Sequence, residues 1–220
     1  MFEYIWPELG KAAATGVLAG GASILAQCMA PKVARTLRRL HARDTGDRIE
    51  RRLAAILIAD VVAYSRLMTA DEEGTHSRLW TYRREIIEPK IREHRGRIVK
   101  NTGDGVLAEF GSVVDAVRCA LGIQHVMGVR NASVSQNRRI ELRIGVNLGD
   151  VIVAADDVYG HAVNLAARLE RLAVPGGICV SQDAWCHVRG AIEAEFVDLG
   201  ELRLKNISDP TRVYAIPPAA

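Results

Sequence analysis

From residue 53 onward, short apolar runs alternate with longer amphipathic ones. LAAILIADVVA (53–63) is a continuous apolar run broken by a single acid, Asp60, and it predicts a buried central strand. Asp71 then opens DEEGTHSRLWTYRREIIEPKIREHR, with Glu72 and Glu73 in the first turn, which predicts a helix capped by Asp71 and broken near Pro89. GRIVKNTGDGVLAEF (96–110) predicts two short strands around a Gly-Asp turn, with Gly103 free to take positive φ. VVDAVRCALGIQHVMGVR (113–130) has apolar residues at helical spacing. RIELRIGVNLGDVIVA (139–154) reads as a strand pair turning at Gly149 and Asp150. GHAVNLAARLERLA (160–173) is helical and is stopped by Pro175-Gly176-Gly177, and ICVS, EFVDLGELRLK and RVYAI supply the last strands. The order is β-α-β-β-α-β followed by a further α/β portion. That is an α+β class: a ferredoxin-like sheet with helices on one face.

Residues 12–30, AAATGVLAGGASILAQCMA, carry no charge. Two readings of this stretch stay open. A membrane helix needs about 20 apolar residues, and the cluster Lys32, Arg35, Arg38, Arg39 and Arg43 that follows suits the cytoplasmic side of an inner membrane. In that case Gly16 and Gly20 would allow close helix pairing. Alternatively the Ala-rich composition, interrupted by Gln27, makes a soluble or interfacial helix. A signal peptide does not fit, because Glu3 and Glu8 outweigh Lys11 where such signals are basic. Residues 44–52, DTGDRIERR, read as a polar hinge, so residues 1–50 form an N-terminal extension and 51–220 the main domain.

Charge sharpens this division. The formal net charge is +3, yet residues 1–53 hold nine basic and five acidic residues, so the remainder is close to neutral. A near-neutral body lacks the basic face that nucleic-acid binding requires, and nucleic acid is excluded as a partner. The four cysteines, at 28, 119, 179 and 186, form no C-x-x-C pair and read as reduced thiols packed as small apolar residues, which points to a reducing compartment.

Two acids stand out. Asp60 lies within an apolar strand, where an ionised carboxylate is costly unless paired or bound to a metal. Asp104 lies at the tip of the hairpin that this topology sets beside that strand. Two carboxylates brought together repel and raise each other's pKa unless a divalent cation neutralises both. All-oxygen ligation suits Mg²⁺ or Mn²⁺.

ILIADVVAYSRLM, VKNTGDGVLAEF and DDVYGHAVNLAARLE, in this order, resemble the catalytic domain of class III nucleotidyl cyclases of the bacterial adenylate/guanylate type. The similarity runs from about Arg51 to Ile216. It implies the class III cyclase fold and a homodimer with two shared active sites. It also implies conversion of ATP to 3′,5′-cyclic AMP and pyrophosphate with two Mg²⁺ or Mn²⁺ per site. Asp60 and Asp104 match the metal-binding aspartates, with the carbonyl of Val61 as a further ligand. Lys100 and Asp157 match the pair that reads adenine, Asn164 the residue that orients the ribose, and Arg168 the one that stabilises the transition state. Lys205, in LKN, resembles a lysine that touches the triphosphate. His161 departs from the Asp or Asn common in relatives, and no transferred role rests on it. The residue types suit the assignment: a lysine can donate to adenine N1 and a carboxylate can accept from the N6 amine. Asn164 and Arg168, four apart, share one helix face. The resemblance leaves a guanylate or mixed-specificity cyclase, or a catalytically silent dimerising nucleotide-sensing module, as alternatives.

Overall fold

The computed structural model describes residues 50–218, and the readings of residues 12–30 lie outside the described residues. Among the described residues no helix is long and apolar enough to cross a membrane.

The elements in chain order are β1 (Glu50–Val61), α1 (Tyr64–Ala70), α2 (Glu72–Tyr82), a π-helical turn (Arg83–Ile87), α3 (Glu88–Glu93), β2 (Arg97–Thr102), β3 (Gly105–Phe110), α4 (Val113–Ala132), β4 (Leu142–Ala154), β5 (Asp157–Tyr159), α5 (His161–Leu172), β6 (Ile178–Ser181), α6 (Gln182–Val188), β7 (Val197–Leu202) and β8 (Thr211–Ile216). They build one eight-stranded mixed sheet ordered β2-β3-β1-β4-β6-β8-β7, with β5 paired to β4 off this path. The first four strands of that order are the ferredoxin-like set expected from βαββαβ. Only β4 and β6 run parallel, and α5 is the helix that makes the crossover between them.

The apolar run 53–61 sorts by parity, as a strand buried on both faces must. Ala55, Leu57, Ala59 and Val61 pack with α1–α4 and α6 in the larger core. Ala54 and Ile56 face the other way, into a second core with Leu107, Val151, Val158 and two residues of α5, Ala162 and Ala166. The expectation of helices on one face is therefore corrected: α5 covers the opposite face, making a third layer. The reason lies at Gly145. A Cβ there would sit 2.3 Å from the Ala166 carbonyl oxygen and 2.3 Å from the Glu170 amide nitrogen, so the helix backbone rests directly on the strand.

Residues 142–154 form one continuous strand paired with β1 from Leu142 to Val153, and not a strand pair turning at Gly149 and Asp150. Gly149 serves close packing instead: its missing Cβ would lie 2.9 Å from that of Ala162. Asp150 is paired with Arg51 at 3.1 Å. The turn comes later, where Ala155 takes positive φ and β5 folds back on β4.

Other expectations hold. Asp71 caps α2 by accepting from the Gly74 amide. The helix changes character before Pro89, through a π-helical turn that accommodates a residue without an N–H to donate. Gly103 takes φ 70° in the β2–β3 turn. Cys119 and Cys179 are buried, and burial pushes their thiols up to about 12 and about 11. Cys186 is exposed rather than packed. The short helices α1 and α6 went unpredicted, being only seven residues each.

Gly145→Ala is expected to destabilise the fold by about 1–3 kcal/mol, because a methyl group must push α5 off β4. Urea unfolding followed by circular dichroism measures this, and an unchanged midpoint would contradict the close approach.

Candidate active site

The end of β1 carries the first group of candidate residues. Asp60 is the last acid on the second-core face of β1, and Asp104 sits in the two-residue turn between β2 and β3. Because β1 and β3 are antiparallel neighbours with Ala59 opposite Val106, that turn falls beside Asp60. The position before Val106 must be glycine: a Cβ at Gly105 would meet the Ala59 carbonyl at 2.8 Å and Asp60 Oδ1 at 3.0 Å. Burial, followed by the charge of Asp104, raises the Asp60 carboxyl above its ordinary value, while Arg143 and the Val61 amide, which donates to it, pull the other way. Of Val61, then, the contact with Asp60 is through its backbone N–H, and its side chain is buried.

The register sets Asp60 opposite Arg143 on β4. Arg143 Nη2 lies 3.9 Å from Asp60 Oδ2, and Arg143 Nε lies 3.0 Å from Glu170 Oε1. Glu170 belongs to α5, and its side chain is only 6% exposed. Burial raises its carboxyl too, with Arg143 opposing. Sequence reasoning missed both residues. The signal was present for each: Arg143 interrupts an apolar strand just as Asp60 does, and Glu170 is four residues beyond the buried Ala166 on the inward helix face.

The second group is Lys100 and Asp157. Val158 is drawn into the second core, which brings β5 over the β2 side of the sheet. Lys100 Nζ reaches Asp157 Oδ2 at 2.7 Å, and its ammonium stands 5.5 Å from the centre of the Tyr159 ring. The Lys100 hydrogen bond holds the Asp157 carboxyl below the usual range, helped by the Val158 amide and the Tyr159 hydroxyl.

The third group lies on α5. Asn164 is exposed, and one turn further on Arg168 Nε donates to the backbone carbonyl of Lys205 at 2.9 Å. The Lys205 side chain is exposed. Thus the structure brings Asp60 to Asp104, Lys100 to Asp157, and Arg168 to Lys205. Among the described residues no hydrogen bond or ion pair links one of these groups to another. A cavity of 560 Å³ between β4, the start of α5 and the β7–β8 hairpin contains none of these residues.

Among the described residues no cluster of three or more His, Cys, Asp and Glu side chains could hold a metal ion. Two converged carboxylates are nonetheless a donor set that fits Mg²⁺ or Mn²⁺, which take one or two carboxylates and complete their shell from substrate phosphates and water. Burial and, after it, the charge of Asp104 raise the Asp60 carboxyl, and a bound cation would oppose both effects.

This sheet, with a helix laid against β4 and paired acids at the end of β1, is the fold of the class III cyclases. The chain belongs to the family described as the adenylate and guanylate cyclase catalytic domain, which its residues 50–217 match. It is 48% identical over 170 residues to "Putative adenylate cyclase 3" of Rhizobium meliloti (strain 1021), across 77% of this chain and 29% of that protein. The chain thus spans less than a third of that relative's length. The crystal structure of an adenylate/guanylate cyclase/hydrolase from Silicibacter pomeroyi is 46% identical, with a TM-score of 0.74 over 77% of this chain and 99% of the other. The adenylyl cyclase CyaB from P. aeruginosa shares the fold at 23% identity, with a TM-score of 0.68 over 78% of this chain and 96% of the other.

Stability should depend on pH with a definite sign. A carboxyl raised by folding stabilises the native state below the ordinary carboxylate range, and that contribution is lost as pH rises through the raised value. Asp60→Asn removes one such group. In chelator-treated protein the variant is expected to be more stable than the parent at neutral pH and to show a shallower decline between pH 4 and 7. Denaturant titrations across that range check it, and a parent more stable than the variant at pH 7 would contradict the raised Asp60 carboxyl.

Proposed function

We propose that the chain is an adenylate cyclase, converting ATP to 3′,5′-cyclic AMP and pyrophosphate at two equivalent sites shared across a homodimer. The observation that carries the reading is the Lys100–Asp157 pair, one donor and one acceptor joined at 2.7 Å with Tyr159 alongside. Their side chains are 44% and 27% exposed, and such surface pairs contribute only about 0.2–1 kcal/mol. Charge-assisted hydrogen bonds from Lys100 to adenine N1 and from the N6 amine to Asp157 are worth about 1.5–3 kcal/mol each. The base therefore wins, and the pair opens to receive it. Guanine has its donor and acceptor exchanged on this edge and would leave both groups mismatched.

Asn164 would orient the ribose, and Arg168, four residues on, would neutralise charge growing on the α-phosphate. Lys205 would meet the triphosphate, because the Arg168 contact with its carbonyl sets that loop beside α5. The ribose 3′-oxygen attacks the α-phosphorus, the bond to the β-phosphate oxygen breaks, pyrophosphate leaves, and the hydroxyl proton passes to solvent. Asp60 and Asp104, with the carbonyl of Val61, would hold Mg²⁺ or Mn²⁺, which when bound supplies Lewis acidity toward the 3′-hydroxyl and the phosphates.

The shared site follows from the likeness to the cyclase family, whose active sites form between two copies of the domain. Within one chain the described hydrogen bonds and ion pairs tie Asp60 to Arg143 and Lys100 to Asp157, and none joins the two sets. The dimer supplies Asp60 and Asp104 from one copy and Lys100, Asp157, Asn164 and Arg168 from the other. Residues 51–220 form the catalytic domain in this reading, with residues 1–50 an extension that attaches it to a membrane or packs as a soluble helix.

Purified protein with Mn²⁺ should form cyclic AMP from ATP at least about tenfold faster than cyclic GMP from GTP, since one mismatched buried polar contact costs about 1–3 kcal/mol. Exchanging Lys100 for Glu and Asp157 for Cys should lower ATP turnover by about tenfold or more on the same grounds. Undiminished preference for ATP in that double variant would remove the base-reading assignment.

Mixing inactive Asp60→Ala protein with inactive Arg168→Ala protein should restore up to about a quarter of parental activity: half of the dimers are mixed, and each has one intact site. No recovery after demonstrated subunit exchange would overturn the shared site.

A further inference from the structure

The charged groups at the end of β1 do not stop at the two carboxylates. Arg143 bridges Asp60 and the buried Glu170, so four charges run in the order Asp104, Asp60, Arg143, Glu170. We infer that Arg143 is a resident counter-ion of the carboxylate pair, held in place by Glu170, and that it weakens cation binding there until nucleotide is present. This inference rests on the reading of Asp60 and Asp104 as the cation-binding acids.

Three features of the geometry carry it. First, the cross-strand register fixes Arg143 directly opposite Asp60 on the same face, so their contact follows from β1–β4 pairing and does not depend on a mobile loop. Second, Glu170 is inaccessible to solvent and needs a cation. Arg143 is the basic side chain paired with it, and losing that partner would leave an uncompensated buried charge. Arg143 is thereby restrained from leaving its position. Third, Gly145 lies two residues beyond Arg143 and lets α5 settle against β4, which is what delivers Glu170 to the arginine. The Arg143–Glu170 contact is a close charge pair without aligned hydrogen-bond geometry, and the Nε and Oε1 atoms concerned are both buried. Nε faces Glu170 while Nη2 faces Asp60 at 3.9 Å, so one delocalised guanidinium charge acts on both acids.

A full positive charge about 4 Å from a ligand carboxylate opposes a second cation there, even at the high effective dielectric of a partly exposed site. Glu170 is accordingly a positioning residue that acts through Arg143. Nucleotide phosphates add negative charge to the site, so cation binding becomes tight only together with substrate.

Mn²⁺ binding to nucleotide-free full-length protein, followed by electron paramagnetic resonance, tests this without turnover. Arg143→Met is expected to bind Mn²⁺ about tenfold more tightly than the parent, corresponding to 1.4 kcal/mol. Because that change strands the Glu170 charge, the double variant Arg143→Met with Glu170→Gln is measured beside it. It keeps the fold free of an unpaired buried charge and should retain most of the gain. Arg143→Lys, which restores a positive charge, should return the affinity to the parental value. Unchanged or weaker Mn²⁺ binding in the folded double variant would overturn the counter-ion. Asp60→Ala separates the two readings: if it leaves parental Mn²⁺ binding intact, the cation assignment of Asp60 itself fails. If it abolishes binding while the arginine variants change nothing, only the inference about Arg143 fails.

Discussion

Helix α5 lies so close to β4 that its backbone takes the space where a side chain at position 145 would stand. Much of the candidate site depends on that contact. The helix carries Asn164 and Arg168 outward and Glu170 inward, and its depth over the sheet sets where each side chain arrives. Had residue 145 a Cβ, the helix would ride higher, Glu170 would lose Arg143, and Arg168 would lose the Lys205 carbonyl. Two further glycines extend the same logic. Gly149 admits Ala162 at the start of the helix, and Gly105 leaves room for the Asp60 carboxylate against the hairpin. Small residues here act as clearances for backbone and charge, not as sources of flexibility.

A second constraint is electrostatic. The second-core face of β1 and β4 is apolar near its middle and charged at one end, where Asp60, Asp104, Arg143 and Glu170 meet. Burial alone would favour neutral acids, and it raises both Asp60 and Glu170. The arginine between them limits that effect, so the end of the strand remains charged at a cost the surrounding core must offset. A different arrangement holds at Glu109, whose side chain is just as buried but is gripped by Arg52 and Arg97 at 2.6 and 2.7 Å, and whose carboxyl is lowered. Two arginines on one acid compensate its charge at Oε1, although its buried Oε2 has no partner. One arginine shared between Asp60 and Glu170, with Asp104 beside Asp60, leaves the acids undercompensated, which is the kind of environment that perturbed groups at functional sites occupy.

Apart from α1, α6 and the β4–β5 boundary, the strand and helix order of residues 50–218 was legible in the sequence because period-2 and period-3.6 patterns report which face of an element is buried. The run 53–63, the cap at Asp71, the Gly103 turn and the amphipathic stretch 160–173 each read correctly on local grounds. Asp60 stood out because a charge inside an apolar strand has few explanations. The errors have local causes as well. Gly149-Asp150 looks like a turn in isolation, since a Gly-Asp dipeptide is the same whether it bends the chain or lies flat beneath a helix. Cys186 looks apolar by type but sits on the outer side of a short helix.

The sequence by itself determined most of the element order, the identity of the isolated acids and the family pattern that names Lys100, Asp157, Asn164, Arg168 and Lys205, because all of these are properties of neighbours along the chain. Only the tertiary structure decided which charges meet. Asp60 and Arg143 are 83 residues apart in sequence and become neighbours through cross-strand register. Glu170 reaches them because a helix crosses to the far face of the sheet and settles on a glycine. Charge pairing acts through space over a few ångströms, and no local pattern encodes a distance between residues that the chain itself keeps far apart.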